Sequence, residues 1–198
     1  VFNVEAMMLY KWLNVSVGYK YLKDVMEWTK YIYPGKEFAY NTSLNFDHKQ
    51  LLYASVNVSP KLGIFRPTWG FNYNQQFFDT RKYGAGKALS KPLLSCSLDN
   101  NFALSETMNA AINLNAATSN ADGFLMMKSD YSVDLRFDKS FANRTWIIYL
   151  SANDIFKTAK ERWTMYGLGS DTIKDCYNYT RSISLQVTYN FNAKRSKY

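Results

Sequence analysis

Between Asn178 and Phe191 the chain alternates with almost no interruption. Tyr179, Ile183, Leu185, Val187, Tyr189 and Phe191 share one parity, and Asn178, Thr180, Ser182, Ser184, Gln186, Thr188 and Asn190 share the other. A period of two held over this length predicts a β-strand with one apolar and one wet face. It also matches a bilayer crossing, which takes a tilted strand of roughly 9–11 residues. The wet face carries small hydroxyls and amides. The apolar face ends on two aromatics, where a membrane-interface girdle places them.

The same period recurs back to the start of the chain. Val4, Ala6, Met8, Tyr10 and Trp12 form one apolar row, and Leu13, Val15, Val17, Tyr19 and Tyr21 the next. Further rows are centred on Ala54, Phe71, Cys96, Ile112, Val133 and Ile148. With the final segment this predicts about nine strands. Charge keeps to the wet parity at Lys11, Lys20, Asp99, Asp134 and Arg136. A charge facing lipid at mid-membrane costs about 2–4 kcal/mol, so this segregation is what a spanning strand requires. Arg181 breaks the rule in the last strand, but near its loop end, where the cost is small.

The connections alternate in length. Residues 11–13, 59–66, 104–106 and 140–144 read as short turns, and 23–49, 80–91, 118–128 and 157–177 as long loops. That rhythm is how antiparallel membrane barrels are built, with tight turns on one side and long loops on the other. No stretch has a convincing helical period, and only 157–163 has the makings of a turn or two of helix.

Composition agrees. The 198 residues are 47% hydrophobic and 17% aromatic, with a mean hydropathy of -0.34. No run of eighteen apolar residues exists, which excludes helical spans but not a barrel, whose lumen residues cancel the hydropathy. The net charge of +8 is dispersed between the strand patterns apart from Lys194, Arg195 and Lys197 at the end. A nucleic-acid interface would need a basic stripe, so none is expected.

The chemistry-bearing residues are sparse. His48 is the sole histidine, so a histidine-based metal cage or a Ser-His-Asp triad cannot be assembled. Neither an enzyme nor a cofactor is expected. Cys96 and Cys176 read as two unpaired thiols. The stretch Gly84-Ala85-Gly86-Lys87 lacks the spacing of a phosphate-binding loop, with Arg81 and Ala88 at the positions that need glycine and Ser or Thr. Asp134, Arg136 and Asp138 share one strand face and predict a salt-bridge ladder across the lumen wall rather than an acid–base pair. Trp28, Tyr31, Tyr33, Trp163 and Tyr166, in the long loops, are weak candidates for stacking on a ligand.

The segment Ser151-Ala152-Asn153-Asp154-Ile155-Phe156-Lys157-Thr158 closes a strand. A long loop follows, and Arg181 leads into Ser184-Leu185-Gln186-Val187-Thr188-Tyr189-Asn190-Phe191. This arrangement resembles the C-terminal end of the TonB-dependent-receptor-like outer-membrane β-barrels of Gram-negative bacteria. The segment from Tyr19 to Asp24 and the turn Ser59-Pro60-Lys61 fit earlier hairpins of the same family. Lys157 departs from it, since the family usually has Asn there. The resemblance implies a plugged barrel of roughly 22 strands, of which these would be the last two-fifths. It also implies uptake of a bulky ligand, driven by an inner-membrane energy-coupling complex.

The expectation is therefore an all-β, antiparallel transmembrane barrel in the outer membrane, being the C-terminal portion of a larger barrel. Residues 1–191 supply strands and loops, and 192–198 form a short basic tail. The missing initiator Met and leader at Val1 read as a piece of a longer protein or a processed form, whose absent parts would carry the plug and the contact with the energy-coupling complex. Outer-membrane lipid is the expected partner of the wall. Two other architectures stay open: a small structural or adhesive outer-membrane barrel without transport, and a soluble ligand-binding barrel with the apolar parity turned inward.

Overall fold

The computed structural model of the chain describes residues 1–32, 35, 38–81, 89–169 and 171–191. The elements in chain order are β1 (Phe2–Tyr10), β2 (Leu13–Ile32), β3 (Ala39–Val58), β4 (Phe65–Phe77), β5 (Leu93–Ser105), β6 (Met108–Ala117), β7 (Asn120–Asp122), β8 (Leu125–Met127), β9 (Asp130–Phe141), β10 (Trp146–Asn153), β11 (Glu161–Met165), β12 (Thr172–Cys176) and β13 (Ser182–Tyr189). Nine of them form one sheet in the order β1-β2-β3-β4-β5-β6-β9-β10-β13, with every neighbouring pair antiparallel. The four short strands make a second sheet, β12-β11-β8-β7, at the long-loop end. Among the described residues no helix is long and apolar enough to cross a membrane.

The register carries the parity across the sheet. Trp146, Ile148 and Leu150 stand opposite Tyr189, Val187 and Leu185, and Ile112 and Leu114 opposite Leu135 and Val133. Apolar side chains therefore meet apolar ones along most of one face. That face is open: Leu185 is 66% exposed and Ile183 78%. A contiguous bare apolar wall of this extent is stable only against lipid or a partner.

Among the polar residues that intrude on this face, two within the wall are accommodated as follows. Asn100 lies between Leu98 and Phe102; its side chain accepts from Trp69 Nε1 at 2.9 Å and donates to the Ile112 carbonyl at 3.1 Å. No polar group of that amide needs lipid for a partner. Lys139 stands beside Phe141, its Nζ 5.0 Å from the ring centroid. It is near the short-turn end, where a long basic chain reaches the headgroups.

The wet face is held by small cross-strand contacts. Ser16 pairs with Ser55 at 2.9 Å and Ser151 with Ser184 at 2.7 Å. The expected ladder of Asp134, Arg136 and Asp138 does not form. Asp134 accepts from the Asp154 amide at 2.7 Å, Asp138 accepts from Asn109 at 2.8 Å, and Arg136 lies over the Tyr149 ring at 5.8 Å. Each acid finds a neutral donor nearer than the guanidinium, which takes the aromatic face instead. Both cysteines are free, as expected.

Two further expectations need correction. Residues 23–32 and 39–49 are not a loop: β2 and β3 stay paired out to Ile32 and Ala39. The periodicity lapses there because both faces of the hairpin beyond the membrane meet water or other loops. Asp24 adopts φ 54°. Beyond it Phe46, which has the parity of Leu52 and Val56, is buried among the loops. The second correction concerns 157–163, where no helical turn forms and Glu161 instead opens β11. Arg181 precedes β13, so it escapes the apolar stave altogether.

Gly18 on β2 faces Tyr53 on β3. A Cβ at Gly18 would lie 2.2 Å from Tyr53 Cζ, so the ring lies directly over the glycine. Tyr53 Oη then reaches Asn3 on β1 at 3.2 Å, fastening three strands. Gly18→Ala is expected to lift the ring and cost about 1–3 kcal/mol. The measurement is the urea midpoint of the full-length protein in detergent; an unchanged midpoint would mean that Tyr53 swings aside freely.

Candidate functional site

At the long-loop end four connections fold onto one another and form an ordered cap. Its centre is apolar. Phe46 from the β2–β3 hairpin, Phe78 after β4 and Phe124 between β7 and β8 are all buried, with Leu44 packed against them. Ring centroids lie 4.3 Å apart for Phe46 and Phe78, and 5.7 Å for Phe46 and Phe124. Three aromatics from separate loops thus make the small core that a spanning wall does not provide.

Polar staples surround that core. Gln76, at the top of β4, takes the Gly123 amide on Oε1 at 2.8 Å and gives Nε2 to the Leu89 carbonyl at 2.9 Å. Lys49 is buried, with its Nζ 2.7 Å from Glu27 and 3.4 Å from Asp122. Its ammonium also lies 5.4 Å from the Phe78 ring centroid. A buried ammonium is tolerated only with such compensation. The tip of the first hairpin is tied to the last loop by Ile32 N–H to the Leu168 carbonyl at 3.0 Å and Leu168 N–H to the Lys30 carbonyl at 2.8 Å. Thr29 adds its hydroxyl to the Tyr166 carbonyl at 3.1 Å.

The last loop has two anchors of its own. Glu161 receives Lys174 at 2.6 Å, Trp163 Nε1 at 2.9 Å and Asn178 at 3.1 Å. The Lys174 ammonium, helped by the other two donors, holds its carboxyl down at about 2. Asp154 is buried where the loop leaves β10. It accepts from the amides of Thr158 at 2.8 Å and Ala159 at 3.2 Å, and from the Thr180 hydroxyl at 2.6 Å. It thereby joins the start of the loop to its return. Burial alone would raise this carboxyl, but the donors from Thr180, Thr158, Ala159 and Tyr177 outweigh it and hold the group below its ordinary value.

The candidate aromatics fall at different places on this cap. Trp28 is exposed and points from one face of the hairpin, while Thr29 and Tyr31 have the opposite parity. Tyr31 bridges to Leu168 through its backbone, which brings it into the neighbourhood of Tyr166. Trp163 belongs to β11 and is engaged by Glu161. Tyr33 lies outside the described residues, as do Gly84, Ala85, Gly86 and Lys87, and the basic tail 192–198. Among the described residues no group of three metal-ligating side chains occurs. What the cap offers is a shaped, hydrogen-bonded surface. Of its key residues, Phe46, Lys49 and Phe124 give no sequence signal beyond aromatic and polar residues in expected loops, and Gln76 reads only as a wet position of a strand. Asp154 was visible as part of the closing segment, though not as a staple.

A family model described as the Outer membrane protein beta-barrel family matches residues 2–189. No curated protein and no solved structure matches the chain.

Removing the Asp154 carboxylate strands two amides and a hydroxyl. Asp154→Ala is expected to cost about 2 kcal/mol or more of local stability, seen as faster proteolysis of residues 155–181 in the intact protein. The native carboxyl titrates below its unfolded value of about 4. Its stabilisation is therefore complete above about pH 4 and disappears as the pH falls through the lowered native value. Wild-type protein should show this acid-induced opening, and the alanine variant should be open already at neutral pH.

Proposed function

The chain belongs to the outer membrane protein beta-barrel family, and from that premise we propose that it is part of the wall of a larger TonB-dependent receptor. Localisation in the outer membrane follows from the family itself. In the proposed reading the parent protein imports a ligand too bulky for simple porins, and an inner-membrane complex supplies the energy through parts of the protein outside these residues. The strands provide the wall, and the cap contributes to the outer ligand-facing surface. Tyr31 and Tyr166, with Trp28 on the other side of the hairpin, are the residues proposed to meet ligand there.

The observation that carries the larger-barrel part of this reading is the strand count. β1 runs from the long-loop end at Phe2, opposite Tyr21, to the short turn at Tyr10, opposite Leu13. β13 runs the same way, from Ser182 opposite Asn153 to Tyr189 opposite Trp146. First and last strands of the nine-stranded sheet are therefore parallel to each other. Bacterial single-chain barrels have an even number of antiparallel strands. An odd number of further strands restores that pattern, and a barrel of roughly 22 strands meets the condition. Closure of β1 directly on β13 would need a parallel seam, which weighs against the small structural barrel.

Two measurements test the proposal. Cysteines placed at Ala6 and Leu185 in the full-length protein should not cross-link, because other strands separate the two edges. Rapid disulfide formation would favour a small barrel closed on itself. Deleting the protein and inactivating the energy-coupling complex should give the same, non-additive growth defect on a nutrient above the porin size limit. Additive or unrelated defects would overturn the transport role.

A further inference from the structure

On the apolar face, a groove of about 940 Å³ opens at the long-loop end. Its floor is the wall itself, with Phe71 and Tyr73 of β4, Leu94 of β5 and Leu114 of β6. Its rim is Lys157 and Lys160 from the segment between β10 and β11 and Arg162 of β11, with Asp130 as the acid beside them. Three cations against one carboxylate crown a largely apolar groove.

These cations are poorly compensated by the protein. Among the described residues no carboxylate lies within ion-pair distance of any of the three. Arg162 gives one terminal N–H to the Ser129 carbonyl at 2.6 Å, while its Nε–H has no acceptor. Lys157 rests only against an aromatic, its Nζ 5.1 Å from the Tyr177 ring centroid. It does so from φ 59°, a left-handed conformation that suits Asn better than a long side chain. A shape apolar below and cationic at the loop end matches an amphiphile with hydrocarbon chains and an anionic head.

We propose that this groove is a binding site for a phosphorylated lipid of the outer leaflet. Its acyl chains lie along Phe71, Leu94 and Leu114, and its phosphate sits against Lys157, Lys160 and Arg162. The proposal rests on the outer-membrane location of the barrel and not on the transport reading, so either can fail alone. Basic residues at a membrane surface contribute attraction for anionic lipid one by one, and two of these three are loop lysines whose ammonium groups hold no hydrogen bond or ion pair among the described residues.

The test uses the full-length protein in detergent, mixed with bis-phosphorylated lipid A or with its dephosphorylated form. Native mass spectrometry reads the lipid retained. Wild type should retain the phosphorylated lipid in preference. The double variant Lys157→Asn, Lys160→Gln should lose about thirtyfold in affinity for it and nothing for the dephosphorylated form. Lys157→Asn relaxes the backbone rather than straining it, so this variant is expected to fold; unchanged heat-modifiability on a gel checks that. Arg162→Gln, if it folds, should weaken retention further. Equal retention of the two lipids by wild type, or undiminished retention by the folded double variant, would overturn the site.

Discussion

A backbone amide inside the bilayer has no water to bond, so each spanning segment must find its partners within the protein. Everything else here depends on that. It explains why the ladder continues strand after strand and why its irregularities sit outside the membrane. The register shift on β5 falls at Ala103 and Ser105, beside a short turn. The left-handed Asp24 falls on the β2–β3 hairpin beyond the Tyr19–Leu52 pair of the apolar face. Asn100, the amide that does face the hydrocarbon side, has its own donors and acceptors within reach.

The same constraint divides the molecule into two regimes. In the wall, side chains contribute little burial, and the lipid covers what the protein leaves bare. Leu185 and Ile183 would be poor choices in water and are suitable here. Above the wall, water returns, and ordinary globular rules apply. There the chain builds a compact aromatic centre at Phe46, Phe78 and Phe124 and satisfies a buried lysine with two acids. Gln76 is the link between regimes: it belongs to a strand by backbone and to the cap by side chain.

The wall was legible in the sequence because one rule governs each of its residues, and that rule is local. Parity at Tyr179–Phe191 or Leu13–Tyr21 needs no knowledge of any neighbour. The cap obeys contacts between segments far apart in sequence, and no local pattern encodes them. Residues 23–49 therefore read as a loop, since the apolar Met26 and Trp28 stand on the exposed side of the hairpin and polarity there does not follow the strand period. The missing Asp134–Arg136–Asp138 ladder has a similar cause. Like parity places groups on one face, but the Asp154 amide and Asn109 decide which partner each acid takes. The loop aromatics were visible as a set, yet only their tertiary neighbours separate the exposed Trp28 from the anchored Trp163.

The tie between the first hairpin and the last loop bears on the order of assembly. Thr29 and Tyr166 are 137 residues apart, and contacts of such separation form late because they close a long stretch of chain. The hairpin tip must therefore wait, with the Ile32 amide and the Lys30 carbonyl unpaired, until the final strands have arrived. Docking of the last loop is then a completion signal. A barrel with its closing strands unplaced leaves those hairpin groups open, and a finished one pairs them.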